Sequence, residues 1–284
     1  MTSTYDCAPT LTDEQVIQFC ADGFLMLEGI VPEDINRRTL EFVEKYPSGQ
    51  PIEIMEEDWF VENVICHPAA AGAVRSLLGK DFALPNLMAN HRVECPQPAQ
   101  EWHTDGGSKY GPEMNYLQVF YYPQDCPRDL GPTELLPGSH FLSLRQREMA
   151  RYGGIKGSYP AVAPAGSVFL TVYSVWHRRS VSLRTGIRNA LKYNYWRTAT
   201  PKRDWVIDRD FDLAMADFSI GQTQGVAPPT FRDQFRDCYD AAGLYAWLCG
   251  KYDSFSLMGG QGWPLPPHRW RGGPYGVPSS LLSD

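Results

Sequence analysis

The stretch from residue 82 to residue 197 constrains the fold most, because short runs of β-branched and aromatic residues recur there. The clearest runs are Tyr116–Tyr122, Ser167–Tyr173 and Ala190–Trp196, and Gly, Pro, Asn and Asp separate them. Several short strands at this spacing are typical of a β-sandwich or β-barrel rather than of βαβ units. We therefore predict a mainly β core with helices flanking it.

Helical patterns precede the β core. Thr12–Gln15 reads T-D-E-Q, a capping box that predicts the start of a helix ending at Asp22-Gly23. A second helix is predicted from Pro32 to about Tyr46, because proline suits a first helical turn. A third is predicted from His67 to Leu78, before Gly79.

The C-terminal part of the chain contains two segments of different composition. Thr230–Leu248 has apolar residues near one face and is followed by Gly250, which predicts a helix. The segment 259–280 is crowded with Gly, Pro and Trp and predicts no regular element. We expect a single domain, 1–284, in three parts: a helical part (11–80), a β core (about 82–200) and a C-terminal part (201–284).

Composition excludes several classes of protein. Hydrophobic residues make up 43% of the 284, enough for a sizeable core, and no apolar run is long enough to predict a membrane span. The net charge of −7 argues against nucleic acid as a partner. The seven cysteines are odd in number and form no C-x-x-C motif, which favours free thiols and a cytoplasmic location.

Two of the six histidines stand where a metal site can form. His103 and Asp105 are two residues apart, so in a strand both side chains project from one face. His177 follows a long β-type run and offers a third ligand from elsewhere in a barrel. Two histidines and one carboxylate on one face of a metal are the ligand set of non-haem Fe(II) oxygenases. Trp102 has the opposite parity, which predicts core packing.

Arg188 adds a further element to this set, eleven residues after His177. An arginine on a barrel interior is costly unless it meets an anion, and a guanidinium binds a carboxylate with two hydrogen bonds. The order H-x-D, then His, then Arg is more specific than any of its pieces. It predicts a metal site next to a carboxylate-binding site.

These residues resemble the phytanoyl-CoA dioxygenase family of Fe(II)/2-oxoglutarate oxygenases. The likeness includes the opening Leu11–Gln15 with Asp22-Gly23-Phe24, the His103-Thr104-Asp105 motif, and the segment Gly131–His140 with its G-P and P-G-S-H. His177 and Arg188 match the distal histidine and the arginine at the family's spacing. The resemblance extends over about residues 11–197.

The resemblance implies a double-stranded β-helix, a cupin-like jelly roll, in which His103, Asp105 and His177 hold Fe(II). It implies that 2-oxoglutarate binds this iron and pairs its far carboxylate with Arg188. It also implies that O₂ is consumed and that succinate and CO₂ are released. The substrate is expected to be a small organic molecule, either an anion or a metabolite of the natural-product or lipid type. Because Asp105 is present where related halogenases carry a small residue, hydroxylation is favoured.

Other residues have weaker assignments. We expect Tyr121 to line the cosubstrate pocket and Arg92 to touch the cosubstrate or a substrate anion, with a surface role for Arg92 as the alternative. His140 is interpreted as a structural residue that hydrogen-bonds locally in its turn. The aromatic side chains of the tail are candidates for a lid over the site: Trp263, Trp270 and Tyr275.

Two interpretations of a basic cluster between residues 178 and 203 stay open. It is either a solvated loop around one clamping arginine or a basic rim that attracts an anionic substrate. Two alternative functions also stay open, a non-catalytic jelly-roll binding protein and a zinc hydrolase that uses the same ligands. Neither of these needs Arg188 at its position.

Overall fold

Two antiparallel β-layers form the centre of the fold. The computed structural model describes residues 3–45, 49–105, 113–142, 146–213, 216 and 231–250. The strands are β1 (Thr4–Tyr5), β2 (Phe24–Leu27), β3 (Phe82–Ala83), β4 (Ala89–Asn90), β5 (Val93–Gln97), β6 (Tyr116–Tyr122), β7 (Thr133–Leu135), β8 (Tyr159–Pro160), β9 (Ser167–Val172), β10 (His177–Arg179), β11 (Ser182–Arg188) and β12 (Leu191–Trp196). The helices are α1 (Asp13–Asp22), α2 (Glu33–Lys45), α3 (Asp58–Phe60), α4 (Pro68–Leu78), α5 (Gln146–Met149) and α6 (Phe231–Leu248).

The larger sheet has the order β1-β3-β12-β6-β9-β2, with β4 also paired to β12. The opposite layer consists of β10-β7-β8 and the pair β11-β5. Strands that are distant in sequence are neighbours in both layers, as in a jelly roll. The predicted double-stranded β-helix is confirmed.

The larger sheet separates two apolar cores. On β6, Leu117, Val119 and Tyr121 pack with residues of the helices, whereas Phe120 and Tyr122 pack with Phe169 between the two layers. Alternate side chains of a strand point to opposite faces, so each strand of this sheet contributes to both cores. The space between the layers is where the candidate site lies.

The N-terminal helices agree closely with the sequence patterns. The capping box of α1 is present, with the Thr12 hydroxyl accepting from the Gln15 amide and the Gln15 side chain accepting from Thr12. α4 begins at Pro68, where the His67 ring accepts from the Ala69 amide, and the chain turns at Gly79 with φ +83°. Between α2 and α4 the chain forms short helical turns that no sequence pattern predicted.

The C-terminal helix α6 is confirmed and joins the core that contains α1. Leu244, Tyr245 and Leu248 are buried with Val16 and Phe19 of α1. The tail, including the predicted lid residues, lies outside the described residues. Among the described residues, no helix is both long and apolar enough to cross a membrane.

Gly23 ends α1 in a left-handed conformation, with φ +82°. A Cβ at this position would lie 2.4 Å from Nδ1 of His140. We expect Gly23→Ala to lower the free energy of unfolding by about 2 kcal/mol or more, because it adds backbone strain to a collision in the core. Urea unfolding measures the change. Gly154→Ala is the control, since nothing lies within 4 Å of a Cβ there; equal stability of the two variants would contradict the prediction.

Candidate active site

His103 and His177 are held side by side by their own backbones. The His103 amide donates to the His177 carbonyl at 3.0 Å, and the His177 amide donates back at 2.9 Å. This isolated pair of hydrogen bonds brings the two ring centroids to 4.5 Å. The β-type run that leads to His177 is not one continuous strand, because β9 ends at Val172 and His177 opens a new strand, β10, in the opposite layer.

Each of the two histidines presents the same ring nitrogen to the site. Nδ1 of His103 lies 2.8 Å from the Glu101 carbonyl oxygen, and Nδ1 of His177 lies 3.0 Å from that of Val175. A carbonyl oxygen only accepts, so Nδ1 carries a proton in both rings and Nε2 is the nitrogen that is left for a metal. Burial, and then the Lys192 ammonium, lower the pKa of His177 and keep its ring neutral. Both Nε2 atoms are therefore ready to bind a metal.

Asp105 completes a three-residue cluster with these histidines. One ligand atom from each of the three side chains lies within 4.8 Å of the others. Oδ2 of Asp105 is 3.6 Å from Nε2 of His177. Burial raises the pKa of Asp105, but the Lys192 ammonium and the hydrogen bonds from Lys192 and Gln118 outweigh burial and hold the pKa below its usual value. The cluster is thus one carboxylate and two imidazoles, a donor set that suits Fe(II) and Zn²⁺.

Arg188 lies at the end of β11, in the same cavity as the two histidines, and its side chain is fully buried. Nη2 donates to the Thr133 hydroxyl at 3.0 Å, and the guanidinium carbon is 5.6 Å from the centre of the Tyr122 ring. Its Nε is buried without a hydrogen-bond partner. No carboxylate pairs with Arg188 in the part of the chain that the structure describes. A buried guanidinium in this state fits an anion supplied from outside.

One cavity connects the histidines to Arg188, and its wall mixes apolar and polar side chains. The lining residues are His91, Val93, Gln100, His103, Phe120, Thr133, His177, Arg178, Arg179, Arg188 and Ala190. The predicted residues His103, His177 and Arg188 are therefore brought together, with Asp105 beside the histidines.

Two predicted site residues do not line this cavity. Tyr121 points to the helical side of the larger sheet, where its hydroxyl donates to Oδ1 of Asn36 at 2.6 Å. The parity of β6 explains the correction, because Tyr122 and Phe120 face the space between the layers instead. Arg92 is exposed and lies outside the lining, while its neighbour His91 contributes to it.

Trp102 packs against Arg178, which lines the cavity. Trp102 is fully buried, as its parity predicted, and packs with Trp176. The Arg178 guanidinium lies 4.7 Å from the Trp102 ring centre and donates to Glu134 at 2.7 Å. Both members of this ion pair are nearly buried. Arg178 is thus a structural residue rather than a free positive charge.

Three of the eight basic side chains between residues 178 and 203 form ion pairs, and one of these is the pair of Arg178 with Glu134. Lys192 pairs with Asp105 and Arg203 with Asp13. Arg197 donates to the last carbonyls of α4, those of Leu77 and Leu78, at 2.7 and 2.9 Å. Few of these charges reach the surface, so the structure gives the predicted basic rim little support.

His140 is a structural residue, as predicted, but its hydrogen bond is not local. Its Nε2 lies 3.0 Å from the Cys20 carbonyl oxygen at the end of α1. Its ring also packs against the backbone of Gly23. The contact explains why the D-G-F and P-G-S-H motifs occur together, since one motif supplies the glycine that leaves room for the imidazole of the other.

Burial lowers the pKa of His140 from 6.5 to about 3. Between these two values the unfolded chain binds a proton that the folded protein does not, so stability is lost as the pH falls below 6.5. At about pH 5 this one residue costs about 2 kcal/mol of unfolding free energy. We expect the free energy of unfolding to fall by about 2 kcal/mol less in His140→Gln than in wild type when the pH is lowered from about 7.5 to about 5. Urea unfolding at the two pH values measures the difference. An equal loss in both proteins would contradict this assignment, because the other histidines titrate alike in both.

The fold and the site together define a class of enzymes, the iron- and 2-oxoglutarate-dependent oxygenases of jelly-roll architecture. A family model described as phytanoyl-CoA dioxygenase (PhyH) matches residues 19–185. The chain belongs to the phytanoyl-CoA dioxygenase family. Among curated proteins, none matches this sequence.

Several solved structures have a similar fold. HygX from Streptomyces hygroscopicus, with nickel and 2-oxoglutarate bound, is 17% identical with a TM-score of 0.55, over 66% of this chain and 88% of that one. The carbocyclase SnoK from nogalamycin biosynthesis is 15% identical with a TM-score of 0.53, over 70% and 91%. The epimerase SnoN, in complex with Fe3+, alpha ketoglutarate and nogalamycin RO, is 15% identical with a TM-score of 0.52, over 64% and 82%. At these identities the likeness concerns the fold.

Three side chains at the site were missed by the sequence analysis. Thr133 follows the G-P of the quoted segment and contacts Arg188. Gln118 and Lys192 both contact Asp105. The signal for the last two was a polar side chain inside an otherwise apolar strand, which is costly to bury unless it has a partner.

Proposed function

We propose that this protein is an Fe(II)- and 2-oxoglutarate-dependent dioxygenase that hydroxylates a C–H bond of a small organic molecule. One observation carries the proposal: the imidazoles of His103 and His177, with Asp105 beside them, share a cavity with Arg188, which is buried and has no carboxylate partner among the described residues. Membership of the phytanoyl-CoA dioxygenase family supports it.

In this proposal His103, Asp105 and His177 hold the iron, and Arg188 with Thr133 binds the far carboxylate of 2-oxoglutarate. The bound iron and cosubstrate supply O₂ activation, coupled to oxidative decarboxylation of 2-oxoglutarate to succinate and CO₂. The carbonyls of Glu101 and Val175 orient the two rings through Nδ1.

The rest of the cavity excludes water and sets its polarity. Phe120, Val93 and Ala190 provide apolar wall between the histidines and Arg188. In such surroundings the attraction between a guanidinium and a carboxylate is stronger than in water. The side chains of this wall thereby favour a bound 2-oxo acid over solvent in the cavity.

Hydroxylation is favoured over halogenation because Asp105 supplies a carboxylate ligand. A zinc hydrolase or a non-catalytic binding protein leaves the burial of Arg188 unexplained. A small-molecule substrate agrees with the acidic chain, whose net charge is −7.

The test is anaerobic addition of Fe(II) and then 2-oxoglutarate, with detection of the visible charge-transfer band of the complex. We expect a band in wild type, no band in His103→Ala, and a retained band in His91→Ala, whose side chain lines the cavity without belonging to the cluster. Succinate release in air then identifies substrates, and a product heavier by one oxygen atom supports hydroxylation. Iron binding without the band would favour a binding protein, and ester hydrolysis with zinc would favour a hydrolase.

A further inference from the structure

A polar patch lies on the inner face of the larger sheet, directly beside Asp105. Nε2 of Gln118 donates to Oδ2 of Asp105 at 2.6 Å, and Nζ of Lys192 donates to the same oxygen at 2.5 Å. Gln118 on β6 is the register partner of Asn194 on β12, and Asn194 projects from the same face as Lys192. The three side chains Gln118, Lys192 and Asn194 are therefore neighbours, and we call them the polar patch.

The polar patch has hydrogen-bond acceptors that the protein does not use. Because a carboxylate only accepts, the group of Gln118 that faces Asp105 must be its NH₂, which assigns the other atom as oxygen. Within the described part of the chain, this Oε1 is buried without a donor, and so is Oδ1 of Asn194. Gln118 itself is 2% exposed. An acceptor buried without a donor is destabilising, so two of them side by side indicate a ligand.

The polar patch also has unused donors. The Lys192 ammonium has three N–H groups, and Asp105 is its one acceptor among the described residues. The ring centre of Phe120 lies 5.1 Å from Nζ on another side. The side chain of Lys192 is only 11% exposed, so bulk water reaches little of it.

We propose that the polar patch binds a hydroxyl group of the substrate. A hydroxyl both accepts, from Lys192, and donates, to Oε1 of Gln118 or Oδ1 of Asn194. An ammonium group can donate to the two amide oxygens but cannot accept from Lys192, and a carboxylate can accept from Lys192 but cannot donate to the amide oxygens. The inference rests on the proposed function, and it narrows the substrate to a neutral, hydroxylated molecule.

The same face of the sheet is aromatic next to the polar patch. Tyr116 and Trp196 are register partners one step further along the same face, and both are partly exposed. The Tyr116 ring packs edge-to-face with that of Tyr173 at 4.8 Å. Apolar and aromatic walls with a few directed polar groups are typical of small-molecule sites. A hydroxylated ring, with C–H faces against the aromatic side chains and hydroxyls at the polar patch, suits both surfaces.

The test compares three six-membered ring probes on the protein loaded with Fe(II) and 2-oxoglutarate without oxygen. The probes are myo-inositol, cyclohexanecarboxylate and cyclohexylammonium, and titration calorimetry measures their binding. We expect saturable binding of myo-inositol alone and at least tenfold weaker binding in Asn194→Leu. The same substitution at the exposed Asn115, Asn115→Leu, is the control and should leave the affinity unchanged.

The thermal stability of Asn194→Leu is a second measurement, and it distinguishes a ligand-binding role of Asn194 from a structural one. Asn194→Leu removes an acceptor that has no donor, so its Tm should equal or exceed that of wild type. Each of four results would overturn the proposal. These are a lower Tm in Asn194→Leu than in wild type, preference of wild type for a charged probe, equal affinity of wild type and Asn194→Leu for myo-inositol, and no saturable binding of myo-inositol.

Failure of the proposed function is detected separately from failure of the hydroxyl site. Absence of the charge-transfer band in wild type contradicts the proposed function. If wild type and Asn194→Leu both show a normal band and bind myo-inositol with equal affinity, only the hydroxyl site is contradicted.

Discussion

Replacing Arg188 by methionine is expected to weaken the binding of 2-oxoglutarate by on the order of 100-fold, which corresponds to about 2.7 kcal/mol. The guanidinium is buried and makes no ion pair within the described structure, so the far carboxylate of 2-oxoglutarate would be its principal charged partner. Methionine has a similar length and no charge. Anaerobic titration of the charge-transfer band measures the affinity.

Arg184→Met is the matched control, because Arg184 is exposed on the same strand, β11. A second ligand sharpens the test: 2-oxopentanoate carries a methyl group where 2-oxoglutarate carries its far carboxylate. Wild type should prefer 2-oxoglutarate strongly, and Arg188→Met should bind both about equally. A preference that survives in the variant would mean that another residue binds the far carboxylate.

Arg188→Met should not destabilise the ligand-free protein. Removal of a buried charge that lacks a counter-charge relieves a desolvation cost, which offsets the loss of the hydrogen bond to Thr133. We expect the free energy of unfolding of Arg188→Met to be equal to or above that of wild type. This combination, weaker binding with undiminished stability, distinguishes a ligand-binding arginine from a structural one.

The second large effect is expected at Asp13, a carboxylate with no exposed surface at the start of α1. It accepts two hydrogen bonds from Arg203, at 2.8 and 2.7 Å, and one from Trp205 at 2.7 Å. The Tyr245 hydroxyl of α6 and the Asp208 amide add two more, at 2.6 and 2.7 Å. Asp13→Ala leaves all of these donors without their acceptor, so we expect a loss of about 3–5 kcal/mol of unfolding free energy.

Urea unfolding measures this loss, with Glu14→Ala as the control. Glu14 is the next residue of α1 and is exposed, so its removal should change the free energy of unfolding by about 0.5 kcal/mol or less. A small effect at Asp13 would mean that the contact between α1 and the C-terminal part of the chain contributes little to stability.

The sequence indicated which polar residues could form the site better than it indicated which residues line the cavity. The grouping of His103, Asp105, His177 and Arg188 was predictable because residues that can bind metals or carry buried charges are restricted to a few types. The three strands Tyr116–Tyr122, Ser167–Tyr173 and Ala190–Trp196 were predictable within one residue, since β-branched and aromatic runs between turn residues are a local signal.

Which face each strand residue occupies was decided by the tertiary structure. Tyr121 and Tyr122 are adjacent aromatic residues with the same local preferences, yet one bonds to Asn36 under the helices and the other packs beside Arg188. Sheet register and the packing of α2 make that choice, and neither can be read from the strand alone.

By itself the sequence indicated the class of fold, the residues proposed to hold a metal and the arginine proposed to bind a carboxylate, because these depend on residue type and spacing. Only the tertiary structure decided that Gln118 and Lys192 meet at Asp105, that His140 closes over Gly23, and that Asp13 joins α1 to α6. Each of these contacts joins residues far apart in the chain. Such pairs have no local signature, since their energy comes from burial and hydrogen bonding that exist only once the layers have packed.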